Sequence, residues 1–75
     1  MRISCDRDDP GYVEYVKLRP IVPRVFLDGV EIKEVITADE EAGMLIRYLR
    51  GMDGLIRVEK GIAVREVLYG RVELH

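Results

Sequence analysis

The chain has 75 residues, of which 48% are hydrophobic and 35% charged, with a formal net charge of −2. A chain of that length forms one domain, here 1–75, and buries only about 60% of the surface its unfolded form exposes. The hydrophobic share excludes a disordered chain, and the near-neutral balance excludes the concentrated basic stripe of a typical nucleic-acid binder.

Taken in chain order, Arg2 to Cys5 reads as a short strand and Asp6-Arg7-Asp8-Asp9-Pro10-Gly11 as a turn. Tyr12 to Leu18 is rich in β-branched and aromatic residues and reads as a strand. Pro20 and Pro23 lack a ladder donor, so residues 19–24 are expected to be an extended connector or an edge. Val25-Phe26-Leu27 and Val30-Glu31-Ile32 flank Asp28-Gly29, a dipeptide suited to the positive φ angles of a type I′ turn. A tight hairpin is expected there, its second arm running on to Thr37.

Residues 38–50 read two ways. Thr37-Ala38-Asp39-Glu40 resembles a capping box, and Ala38, Ala42, Leu45, Ile46 and Leu49 fall on one helical face. Gly43 interrupts that helix, however, and Leu45 to Leu49 serves equally as a strand after a turn at 38–43. Gly51 to Gly54 is a turn, Leu55 to Glu59 a strand, Lys60-Gly61 a second turn and Ile62 to Tyr69 a strand. After Gly70, Arg71 to His75 alternates polar and apolar residues. Together these elements predict a mainly β fold: a small antiparallel meander, curled sheet or small barrel. The alternative is α+β, with one helix at about 38–50.

The chemistry-bearing residues are few. Cys5 is the single cysteine, so no disulfide forms within the chain, and a reducing compartment is expected. Cys5 itself reads as a buried structural residue. His75, the single histidine, reads as exposed, which leaves no base for a nucleophile. Asp6, Asp8 and Asp9 depart from the calcium-loop pattern at Pro10 and read as a hydrogen-bonded turn. Asp39-Glu40-Glu41 has no partner to separate acid from base. No catalytic, cofactor or metal residue is therefore assigned, and no enzyme activity is expected. No apolar run matches a membrane span, so a cytoplasmic protein with no membrane partner is expected.

Arg47, Tyr48 and Arg50 place an aromatic ring between cations, the ingredients of a stacking platform for single-stranded nucleic acid. Tyrosines and arginines also alternate on ordinary sheet faces. A homo-dimer is expected on two grounds. So small a core has neither disulfide nor metal to support it, and Val72-Glu73-Leu74 has no proline or lysine to discourage edge pairing.

Phe26-Leu27-Asp28-Gly29-Val30-Glu31-Ile32, then Ala38 to Gly43, then Leu68 to Leu74 form an ordered pattern: a DGVE hairpin, an AD-x-E-x-G turn and a YG-x-V strand. Over residues 25–74 this pattern resembles short, uncharacterised proteins encoded by tailed bacteriophages and prophages. The resemblance implies a phage or prophage origin and a β-rich shape, and it transfers no active-site residue. The resulting expectation is a non-enzymatic accessory protein acting by contact with a host or virion protein. The alternative is a small β-barrel that binds nucleic acid in the manner of an OB-like fold.

Overall fold

The computed structural model describes residues 1–75 and is mainly β. Strand β1 (Arg2–Ser4) is followed by the helix α1 (Tyr12–Leu18) and then by β2 (Val25–Leu27), β3 (Val30–Ile32), β4 (Val35–Asp39) and β5 (Met44–Tyr48). The chain continues through β6 (Val58–Glu59), β7 (Ile62–Ala63), β8 (Arg65–Tyr69) and β9 (Val72–Leu74). Three antiparallel sheets result, ordered β1-β4-β5-β8, β3-β2-β9 and β6-β7. The barrel does not form: β1 and β8 remain opposite edges of an open sheet.

The turn of the hairpin at Asp28-Gly29 forms as expected, but its second arm stops at Ile32 instead of running on to Thr37. Glu34 takes a positive φ of 62°, and β4 joins the other sheet. Asp28 and Gly29 have positive φ, 50° and 84°, and Leu27 faces Val30 across the two-residue turn. The strand alternative holds for 38–50, and no helix forms there. Ala38 and Asp39 complete β4, Gly43 turns with a φ of 65°, and β5 pairs back from Asp39↔Met44 to Val35↔Arg47. Glycine is required at position 43, because a Cβ there would lie 2.8 Å from the Gly70 carbonyl oxygen.

Tyr12 to Leu18 is a helix, which corrects the strand expectation. The preceding turn starts it: Tyr12 N–H donates to Asp9 O and Tyr15 N–H to Gly11 O. Tyr15 and Leu18, three residues apart, then reach the core, while Val13 and Val16 stay exposed. Spacing and tertiary contact override β propensity in this segment. The stretch 55–59 is strand only at Val58 and Glu59, and the run from Ile62 breaks at Val64. At that break Val64 N–H turns to Arg57 O, while its carbonyl accepts from Leu49 N–H.

Ile3, Val25, Ala38, Leu45 and Val72 form the core between the two larger sheets, with Tyr15, Leu18 and Leu68 among the side chains packed on it. Only nine of the 75 residues are buried, so each core contact is a large share of the total. No helix is long and apolar enough to cross a membrane.

Candidate functional site

Alternation along β5 and β8 divides the four-stranded sheet into two faces. Leu45 and Leu68 face each other on the core side. Met44, Ile46 and Tyr48 of β5, with Arg65, Val67 and Tyr69 of β8, point the other way. Near β1 that second face is closed, since Ser4 and Thr37 are buried there. Near β8 it is open: Val67 is 45% exposed and Tyr69 75% exposed. A half-exposed apolar strip thus runs from β5 onto the sheet edge.

The edge is open in its backbone too. The ladder between β5 and β8 is bracketed by Leu49 N–H donating to Val64 O and Gly70 N–H donating to Gly43 O. With bonded pairs two residues apart, Glu66 and Leu68 point their polar groups at β5. Arg65, Val67 and Tyr69 therefore present theirs outward, and β8 pairs with no other strand.

The remaining edges of the two larger sheets are occupied or short. β1 is covered where Ser4 N–H donates to Gly11 O and α1 packs on the strand. β9 is an edge as expected, but Leu74 N–H donates to a Glu40 carboxylate oxygen at 3.4 Å and Val72 is buried. β3 spans only three residues.

The residues singled out in the sequence are held by internal partners. Arg47 Nε donates to Glu66 Oε1 at 2.5 Å, and Arg50 pairs with Glu34 and the Gly54 carbonyl. Tyr48 lies across from Arg65 on the other face from Arg47. Two of the three ingredients of a stacking platform are thus neutralised, and the ring and Arg47 lie on opposite faces of β5.

The aspartate loop is a hydrogen-bonded turn. Arg2 grips Asp9 at two points, 2.9 and 2.7 Å, and reaches Asp39 at 3.3 Å. Asp9 also accepts Gly11 N–H, and Asp6 accepts Asp8 N–H and Arg65. The Arg2 guanidinium holds the Asp9 carboxyl below its ordinary range. For Asp39 the Ala42 N–H is the largest cause of the same shift, and for Asp6 it is the Asp8 N–H. No three His, Cys, Asp or Glu side chains converge as metal ligands. Cys5 is exposed rather than buried, because it lies one residue beyond β1.

A cleft of about 320 Å³ lies between the two larger sheets, lined by Tyr15, Val25, Ile32, Val35 and Ala38 among others. Of its charged lining residues, Arg24 and Glu31 hold each other at 2.8 Å and Glu34 pairs with Arg50, and no buried polar side-chain atom lacks a partner. No buried polar side chain in it awaits a ligand. The β8 edge, by contrast, combines unpaired backbone groups with exposed apolar side chains.

No family model, curated protein or solved structure matches the chain.

Proposed function

We propose that the protein is a non-enzymatic phage or prophage accessory protein that acts in the host-cell cytoplasm by protein–protein contact through the β8 edge. The observation that carries this is the outward row of Arg65, Val67 and Tyr69 beside the exposed Val67 and Tyr69 side chains. Long apolar edges are ordinarily shielded by charge, proline or a covering segment, because they template pairing with another chain. β8 has no proline or lysine, and its two charged residues, Arg65 and Glu66, are already paired with Asp6 and Arg47. The order of the DGVE, AD-x-E-x-G and YG-x-V motifs supports the phage assignment. The pairing of Arg47 with Glu66 and of Arg50 with Glu34 weighs against the nucleic-acid alternative.

The test compares capture from producing cells by the native chain and by Tyr69→Lys, which places a charge on the open edge. Discrete co-purifying chains lost with Tyr69→Lys are the expected result. A monomeric chain whose capture profile is unchanged by Tyr69→Lys, or capture of nucleic acid alone, overturns the proposal.

A further inference from the structure

We infer that the occupant of the β8 edge is a second copy of this chain, paired β8 to β8 in antiparallel register about a two-fold axis through Val67. The inference rests on the contact function proposed above and names its partner.

Three features select a second copy. The open groups recur at Arg65, Val67 and Tyr69, an odd-numbered row centred on Val67. A two-fold axis there sets Val67 against itself and Arg65 against Tyr69 of the partner subunit. Each outward N–H then meets an outward carbonyl, as the isologous symmetry of a two-fold contact requires.

The side chains fit the same register. On the open face, Val67 meets its own copy, and the Arg65 guanidinium lies opposite an aromatic ring it can cover. Arg65 keeps Asp6 as its counter-ion at 3.1 Å. On the core face, Glu66 stands opposite Leu68 of the partner subunit and stays paired with Arg47. No like charges face each other, and no charge is buried alone. The four-stranded sheet then continues unbroken into its copy, and the strip of Ile46, Tyr48, Val67 and Tyr69 doubles across the axis.

Two measurements test the register and the occupant. In a hydrogen-bonded antiparallel pair facing Cα atoms are about 5.5 Å apart, within disulfide range. Cys5→Ser/Val67→Cys should therefore give a covalent dimer on mild oxidation. Cys5→Ser/Val30→Cys, with the thiol at an exposed site on β3, should stay largely monomeric. Sedimentation equilibrium of the native chain at micromolar concentration should give about twice 8.6 kDa, and Tyr69→Lys should return it to the single mass. Val67 and Tyr69 are exposed, so Val67→Lys serves if Tyr69→Lys fails to fold.

Equal cross-linking at positions 67 and 30, or a native monomer, overturns the self-pairing. A native monomer that still captures another protein lost with Tyr69→Lys leaves the contact function standing. A native monomer with a capture profile insensitive to Tyr69→Lys overturns both.

Discussion

Ser4 Oγ and Thr37 Oγ1 share a buried hydrogen bond of 2.7 Å at facing positions of β1 and β4. They are the only aliphatic hydroxyls in the chain, each residue is 1% exposed, and no other polar side chain is buried. Ser4 Oγ also accepts Asp6 N–H at 3.1 Å, which ties the first turn to the same pair. Each hydroxyl thus has the other as its side-chain partner away from water.

Thr37→Val keeps the shape and strands the Ser4 hydroxyl, so a loss of about 1–2 kcal/mol is expected in urea unfolding. Ser4→Ala/Thr37→Val should cost less than the two single variants combined, because each single variant already loses the one shared bond. Strictly additive losses would contradict the coupling.

Two glycines should separate backbone strain from steric contact. Gly29 has positive φ but nothing within 4 Å of a Cβ, so Gly29→Ala should cost about 1 kcal/mol from φ alone. Gly43→Ala adds contact at 2.8 Å with the Gly70 carbonyl oxygen, so its thermal midpoint should fall clearly further. Equal midpoints would mean that the two turns are not held as described.

Acid should loosen the junction of β1 with its two flanking turns. Asp9 and Asp39 have carboxyl pKa values lowered in the folded state, Asp9 first by Arg2 and Asp39 first by Ala42 N–H. Groups with depressed folded values bind protons more readily when unfolded, so their contribution is full above about pH 4 and is lost as pH falls through the folded values. Asp9→Asn should flatten that acid limb while lowering stability at neutral pH. An unchanged acid limb in Asp9→Asn counts against the ion pair.

The cations at positions 47 and 50 are already neutralised by Glu66 and Glu34. Fluorescence anisotropy with a labelled single-stranded oligonucleotide at low salt should show no saturable binding. Binding that weakens steeply with added salt would reveal phosphate contacts and restore the platform of Arg47, Tyr48 and Arg50.

The fold was legible in the sequence where local chemistry decides it. Asp28-Gly29 fixes its hairpin because few residues accept two consecutive positive φ angles, and Gly43 breaks the competing helix in the same way. Helix α1 was misread because Tyr12, Val13, Tyr15 and Val16 favour strands in isolation. The useful signal was the spacing of Tyr15 and Leu18, and it gains meaning only once a core exists for them to reach. Strand order was not legible at all. Alternation in Ile62 to Tyr69 marks two faces, but it cannot say that β5 lies on one side and nothing on the other. The sequence also marked Val72–Leu74 as an edge, and β9 is one, but the contact of Glu40 with the Leu74 N–H joins residues 34 apart and could not be read from the pattern. The ion pairs of Arg47 and Arg50 were equally hidden, their partners being 19 and 16 residues away.

Residue-resolved amide hydrogen exchange across β8, measured at low and high protein concentration, tests the contact function most directly. Glu66 and Leu68 amides face β5 and should be protected at both concentrations, while Arg65, Val67 and Tyr69 amides should gain protection only as concentration rises. Rapid exchange of those three amides at every concentration, with Glu66 and Leu68 protected throughout, would contradict pairing at this edge.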